Sequence, residues 1–496
     1  YISVYQYIRF GFMICFSYLN CMKSKQFKGF YKGLLHDRRI EKRAEKMMLD
    51  MLDFGNVVVN KFCLTHPDRI GAYRMLGNES FDYSDLAEGI YRSCRNNEQE
   101  SHYLCIQDTT EINFTNNLNR LSSEDKELGP IRVSGHAGFF CHPVLVIDAF
   151  LQVPIGISSI DIWNREWNGL NRHERDYHHQ NIKDKESYRW IVGAQNTKTL
   201  LSRASSLTII GDRESDIYDE FVLVPDKRTH LLIRSGINRR IHGEDVNLFE
   251  KLDSSDQKAT YEFEVRQGRK RAKRKAKMSL KYEKVRICHP KNRPHEGKPP
   301  YVELWAIEAR ELPGSVPENE APILWRLLTT HNINSVEDAL RCVEWYSQRW
   351  FIEELYRVLK SKGLLIESAQ LETGAALKKL AVIALQVALT TMTLKLSLSS
   401  DEKITANLIF TKEQLYFLSI YMQKLEGKTK KLSNPYEEGT LQWAAWGIAR
   451  IGGWSGYVSQ GPPGYITIKD GLDRFFEKYD GFQLAFNIFN KDVYKG

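Results

Sequence analysis

Cysteine is scarce in this 496-residue chain, and what there is stands apart. The eight cysteines, at 15, 21, 63, 94, 105, 141, 288 and 342, include no C-x-x-C pair and no framework spacing. That excludes a disulfide scaffold or an ordinary zinc site and points to reduced thiols in a cytosol. Cys141-His142 and Cys288-His289 are isolated pairs, too little for a metal. Long apolar runs are missing as well. LAVIALQVALTTMTL (380–394) is short for a membrane span and flanked by Lys378, Lys379 and Lys395, so it reads as a buried helix. The first 21 residues are apolar, but Gln6 and Arg9 interrupt them and no A-x-A site comes after them. They begin on Tyr and read as a non-native upstream extension (1–21), with Met22 the natural start. No charge sign dominates either: the net is +8, so where the charges sit matters more than their sum. Internal repeats and long low-complexity tracts are absent.

What is present is a folded, soluble composition: 42% hydrophobic, 11% aromatic and 27% charged residues. The length allows roughly two to four domains. Residues 22–82 read as helical and basic. In HDRRIEKRAEKMMLDMLDF (36–54), Asp37 can cap a helix whose Ile40, Ala44, Met47, Met48 and Met51 form one apolar stripe. Arg38, Arg39, Lys42, Arg43 and Lys46 fill the other faces, either as a solvated surface or as phosphate contacts.

From 102 the pattern turns to strands: YLCI (103–106), PVLVIDAFL (143–151), PIGISSIDIW (154–163) and LTII (207–210), with a helical stretch at 184–204 before the last. Strands, a helix, then a strand again imply an α/β sheet covered by helices. A second β-rich region runs from about 227 to 331, where ATYEFEV (259–265) and AKMSLKY (276–282) alternate. Between them RQGRKRAKRKAK (266–277) has eight Arg or Lys among twelve residues, including Arg269, Lys270, Arg271, Lys273, Arg274 and Lys275. At a hairpin tip this is a cationic finger; such density of one sign favours a polyanion, nucleic acid, over a merely solubilising loop. Residues 364–400 are helical and apolar, and 401–496 mixes short helices with aromatic turns, which suits packing or association.

One helix is predicted over SVEDALRCVEWYSQRWFIEELYRVLKSKG (335–363), from the Ser335 cap with Glu337 and Asp338 in the first turn to Lys360, Lys362 and Gly363. At ~100° per residue, Arg349, Glu353 and Lys360 fall within about 60° of Tyr346. Phe351, Ile352, Leu355, Val358 and Leu359 lie opposite and must face a core. The polar arc is either a solvated face with helical ion pairs or a phosphate-handling site.

Two aspartates end apolar strands: Asp108 after HYLCIQ and Asp212 after LTIIG. A carboxylate there either caps the next turn or projects into the crevice where α/β sheets place ligands. Asp148 and Asp161, inside their runs, fit less well. Together with Glu353, Asp108 and Asp212 could hold two Mg²⁺ ions ~4 Å apart, since hard oxygen ligands suit that ion. Three such anions repel one another and need cations nearby, which Arg349 and Lys360 supply. The implied chemistry is phosphodiester attack by water or a sugar hydroxyl.

The spacing Tyr-x2-Arg-x3-Glu-x6-Lys (346–360) resembles the signature of the bacterial cut-and-paste DDE transposases of the transposon-five type. IQDTT at Asp108, DRESDI at Asp212, KDKESYRW (183–190) and GTLQWAAWGIARIGG (439–453) are similar to that family too, so the likeness covers roughly residues 30–490. It implies an α/β architecture with an RNase H-like catalytic core (83–399) carrying Asp108, Asp212 and Glu353 as metal ligands. The β-rich stretch at about 227–331 becomes an insertion into that core. A helical DNA-end-binding domain (22–82) and a mainly helical C-terminal dimerisation domain (400–496) flank it. The resemblance further implies that Tyr346, Arg349 and Lys360 contact phosphate near a transposon end. Trp325 in LWRLLTT would support a base flipped from the stack, unless it is a core tryptophan, and Arg234 in LLIRSG matches a basic residue near that base. At the front only HDRRIEKRAEK and GAYRMLGN match clearly.

The function implied by the likeness is that of a DNA transposase using two Mg²⁺ ions, with Mn²⁺ substituting. It would cut transposon ends, release the element through a hairpin and join its 3′ hydroxyls to target DNA. The partners implied are double-stranded DNA and a second copy in a paired-end complex, in the bacterial cytoplasm at the nucleoid, with no membrane. The alternatives are an RNase H-like endonuclease that cuts without joining and a DNA-binding protein with an idle site.

Overall fold

The apolar run HYLCIQ forms strand β1 (His102–Gln107), and the rest of the fold is arranged around it. The computed structural model describes residues 27, 29–120, 125–131, 135–167, 180–265, 273–291, 293, 297–361, 363–400, 402–427, 432–457 and 461–492. Within these, β2 (Thr110–Asn113), β3 (Gly129–Pro130), β4 (Ala137–Asp148), β5 (Pro154–Trp163), β6 (Ser206–Gly211), β7 (Thr229–Arg234), β8 (Ala259–Val265), β9 (Arg274–Cys288), β10 (Tyr301–Glu311) and β11 (Leu324–Thr329) join β1 in a single sheet. The helices are α1 (Arg38–Phe54), α2 (Val59–Phe62), α3 (His66–Leu76), α4 (Tyr83–Asn96), α5 (Tyr188–Leu200), α6 (Tyr218–Leu223), α7 (Leu248–Ser254), α8 (Val336–Ser347), α9 (Trp350–Lys360), α10 (Gly374–Ser397), α11 (Lys412–Leu425), α12 (Leu441–Ile451) and α13 (Tyr465–Asp492).

The sheet is mixed. β5, β4 and β1 form an antiparallel meander, β6 adds parallel to β1, and β7 adds parallel to β6. β11, β10, β9 and β8 then continue the same ladder antiparallel. Successive side chains of β1 go to opposite faces, as strand geometry requires. Leu104 and Ile106 join a core shared with α1, α9, α10, α12 and α13, while Tyr103 and Cys105 join another under α5, α6 and α7. The apolar run at 380–394 lies in the middle of α10, which is 94% buried over its most apolar window, as expected of a core helix. The edge of β5 is closed by two side chains of α4. The Tyr91 hydroxyl accepts from Ile160 N at 2.8 Å and donates to Ile160 O at 3.3 Å, and Tyr83 meets Ile162 N and O in the same way.

Local sequence explains the N-terminal helices. Asp37 caps α1, its Oδ1 accepting from Arg39 N at 2.7 Å, and Ala44, Met47, Met48 and Met51 are fully buried. The C-terminal region departs from the short helices expected of it, because α13 runs for 28 residues through Gly471 and Gly481. Glycine ordinarily weakens a helix. At Gly471 it is needed instead, since a Cβ there would lie 2.0 Å from the Ile448 carbonyl of α12.

The predicted single helix over 335–363 is also corrected. Ser335 caps it as expected, Asp338 N donating to its Oγ at 3.2 Å. It then breaks at Gln348-Arg349 into α8 and α9. Arg349 N donates to Tyr346 O at 3.0 Å and Ile352 N to Arg349 O at 3.2 Å, the i→i+3 bonds of a 3₁₀ turn. In that turn residues i and i+3 eclipse, so Arg349 lies more nearly under Tyr346 than an α-helix would put it. At the far end Gly363 is required, because a Cβ would stand 2.3 Å from Val358 O.

Candidate active site

Asp108 sits at a fault in the sheet. β1 and β2 pair with β4 in one register, Gln107 opposite Val144 and Thr110 opposite Cys141. That register sets Asp108 across from Pro143, which has no N–H to give the ladder. Pairing lapses for two residues, and the Thr109 hydroxyl instead meets His142 Nδ1 at 2.8 Å. The other ring nitrogen of His142 is 3.2 Å from Gln107 Oε1. Burial pushes this imidazole down to about 3, so it is neutral, donating to Gln107 and accepting from Thr109.

Asp212 is on the next strand. β1 and β6 run parallel with Ile106 opposite Ile210, and carrying that register on two residues sets Asp108 level with Asp212. Neighbouring strands lie roughly 4.8 Å apart, and residues two apart share a face. Both aspartates therefore share the face of Ile106 and Ile210, over which α9 packs. Each also caps its own turn: Thr109 N donates to Asp108 Oδ1 and Glu214 N to Asp212 Oδ1, both at 2.8 Å. Capping thus engages one oxygen of each carboxylate. Burial pushes the Asp108 carboxyl up to about 7; Arg349 opposes the shift, and the nearby charges of Asp212 and Glu353 add to it.

Glu353 reaches the end of β1 through Arg349. One arm of that guanidinium donates to Asp108 Oδ2 at 3.2 Å and the other to Glu353 Oε1. Both carboxylates keep access to solvent, at 20% and 33% side-chain exposure. Tyr346 is buried, and its ring meets Trp325 edge-to-face at 5.5 Å; Trp325 in turn meets Phe263 at 5.2 Å. Trp325 is half-buried at the rim of this cluster, in the first, partly buried half of a strand whose Leu327, Leu328 and Thr329 are buried. Arg234 donates to Leu324 O at 3.1 Å and lies beside Tyr346. Lys360 is about 10 Å further along the helix than Glu353. Its ammonium donates to the Glu111 carbonyl and lies 3.6 Å from Glu367, so it is tied to β2 rather than to Glu353.

The other cationic candidates are spread out. Val265 pairs with Arg274, so the basic stretch does join two antiparallel strands, though Arg269, Lys270 and Arg271 lie outside the described residues. Lys273 is exposed, Lys275 pairs across the strands with Glu262 at 3.1 Å, and Arg274 is engaged by Glu311 and Glu320. On α1, Arg38 is exposed, Arg39 pairs with Asp37 at 2.7 Å and Arg43 with Asp68 at 2.7 Å. Asp148 and Asp161 are occupied elsewhere: Asp148 accepts from Phe150 N and Leu151 N in a turn, and Asp161 faces Arg189.

Three supporting groups are not visible in the sequence. Tyr356 donates to the Asp108 carbonyl at 2.6 Å; its place three residues after Glu353 is the available signal. The fully buried Asp216 binds Arg239 at 2.6 Å and accepts from Gly236 N at 2.9 Å and Ile237 N at 3.0 Å. It ties the turn after Asp212 to the loop after β7. His142, beside Cys141, reads in the sequence only as half of an isolated pair, whereas its neutral ring shores up Thr109.

Among the described residues, no three His, Cys, Asp or Glu side chains stand close enough, as placed, to hold a metal ion. The donor set nonetheless fits a hard divalent cation: all oxygen, at the open end of the strands, with a cationic group already between two members. A scan of the chain against protein-family models finds no match.

Proposed function

We propose that this chain is a DNA transposase of the transposon-five type, cutting the ends of a mobile element and joining them to target DNA. The observation that carries the reading is the meeting of Asp108, level with Asp212 on parallel strands, with Glu353 through the shared Arg349. Three residues far apart in the sequence, singled out by motif, lie near enough for Asp212 and Glu353 both to act on the Asp108 carboxyl. The strand order β5–β4–β1–β6–β7, a meander and then two parallel strands, supports the RNase H-like core.

In this reading Asp108, Asp212 and Glu353 hold two Mg²⁺ ions, which would supply an activated nucleophile and stabilise the leaving oxygen. The chain's own side chains do the positioning. Tyr356 and the Asp108 turn fix the first carboxylate, and Asp216 braces the turn of the second. Arg349 offers a planar fork to phosphate. Trp325, at the half-buried rim beside Tyr346, offers a ring face for an unstacked base. The basic stretch between β8 and β9 meets the DNA backbone, and a second copy completes a paired-end complex.

The test is incubation with Mg²⁺ and DNA carrying the inverted repeats that flank the gene. Wild type should yield nicked ends and strand-transfer products, and Glu353→Gln neither. Equal cutting by both proteins, or by neither, ends the assignment; cutting without joined products leaves a nuclease.

A further inference from the structure

Arg349 stands where a cation is needed before any ion arrives. Its two arms hold Asp108 on a strand end and Glu353 on a helix, so the guanidinium occupies the space between two proposed metal ligands. The arrangement compensates carboxylates that would otherwise repel across a partly buried crevice.

The hold is not one-sided. Arg234 lies close enough to Arg349 for the two cations to repel each other. Arg349 also starts the α9 segment at the 3₁₀ turn, so its side chain leaves from a tight corner instead of the middle of a helix. A phosphate entering the crevice would offer the same planar fork two anionic oxygens in place of one from each of two carboxylates.

We infer that Arg349 is an exchangeable counter-cation: it blocks divalent metal at Asp108 and Glu353 until a DNA phosphate draws it away, coupling metal binding to DNA binding. The DNA half of this rests on the proposed function; the competition at the carboxylates rests on the geometry alone. Linkage makes the coupling reciprocal, so whatever factor DNA adds to metal affinity, metal adds to DNA affinity. A free molecule would then keep its site closed to metal and engage it only on its substrate.

The experiment is Mn²⁺ binding, read from the loss of the free-ion paramagnetic resonance signal, for the full chain at fixed pH. Without DNA, Arg349→Ala should bind Mn²⁺ at least about fivefold more tightly than wild type, the lower end of ordinary coupling. Arg349→Ala combined with Glu353→Gln should lose that gain. A short duplex should tighten Mn²⁺ binding by wild type and leave Arg349→Ala unchanged. Arg349→Lys, which keeps one charge but cannot bridge both carboxylates, should fall between and carries the test if the alanine variant does not fold. Equal or weaker Mn²⁺ binding by the Arg349 variants overturns the proposal, as does a duplex without effect on wild type. Tighter binding in a protein that cuts no DNA would retire the transposase reading and leave the competition at the carboxylates standing. Cutting with unchanged Mn²⁺ affinity would do the reverse.

Discussion

The hydroxyl of Tyr356 donates to the main-chain carbonyl of Asp108 at 2.6 Å, fastening a helix to the point where a strand breaks. Asp108 has lost its ladder partner there, so this bond replaces one that Pro143 cannot make. Tyr356→Phe should cost about 1 kcal/mol of stability, the usual net worth of such a bond. The larger effect should be on DNA cleavage, with a fall of roughly tenfold or more, because small misplacements of a reacting group are costly. Thermal melts and single-turnover cleavage separate the two effects; a variant as fast as wild type would mean that Asp108 is held by something else.

Acid should weaken the fold through a group of histidines at the far end of the same face. His102 and His331 both bond the Thr208 hydroxyl at 2.8 Å, and His230 stacks on His331 at 4.1 Å. Burial pushes His102 down to about 4 and His331 to about 3, and it lowers His230 as well. These folded values lie below the usual 6.5, so the unfolded chain binds more protons. The stability tied to them is whole above about pH 6.5 and drains as pH falls toward 4 and then 3. Denaturant melts between pH 7.5 and 5 should lose a few kcal/mol, and His331→Asn should flatten that slope. An unchanged slope in the variant would sink the account.

Asp216 and Arg239 form a buried pair in which each satisfies the other, with side chains 0% and 6% exposed. Breaking such a pair by removing one partner leaves a stranded charge and typically costs roughly 3–5 kcal/mol. Arg239→Met should therefore lower the melting midpoint sharply, and Arg239→Lys should not restore it, since the guanidinium bonds through two nitrogens. Full rescue by lysine would show that charge alone matters.

Neutralising Arg269, Lys270 and Arg271 together should weaken duplex binding evenly across sequences. On the counterion-release scale, the slope of log K against log salt should shrink by about 2 to 3 units. Competition binding between low and moderate salt checks this; an unaltered slope would take the basic stretch off the DNA.

Much of the fold is legible in the sequence because short-range chemistry decides it. Asp37 caps α1, β5 ends where PIGISSIDIW ends, and Asp108 and Asp212 close apolar strands as their flanking residues indicate. The break at Gln348-Arg349 is hidden, since a 3₁₀ turn and an α-helix place residues three apart on much the same side. Lys360 shares the polar arc on a helical projection, yet its length takes it to the Glu111 carbonyl on another strand. The continuation of the sheet from β7 into β11 depends on partners 95 residues apart, such as Ile233 and Leu328. The short helices expected over 401–496 give way to the long α13 because Gly471 lets that helix press on α12 at the Ile448 carbonyl. Asp216 repeats the acidity of DRESD without announcing that Arg239 awaits it.

The two tyrosines of α4 have a consequence for how this protein behaves when crowded. By occupying backbone groups of β5 at Ile160 and Ile162, they make that margin of the sheet unreceptive to a further strand. The opposite margin, β8, has no such cover along the sheet path among the described residues, and it turns Thr260, Glu262 and Glu264 outward. A foreign strand that adds at β8 must therefore pass Glu262 and Glu264. Association by strand exchange should be slow in the wild type and should quicken when Glu262 and Glu264 are replaced by glutamine.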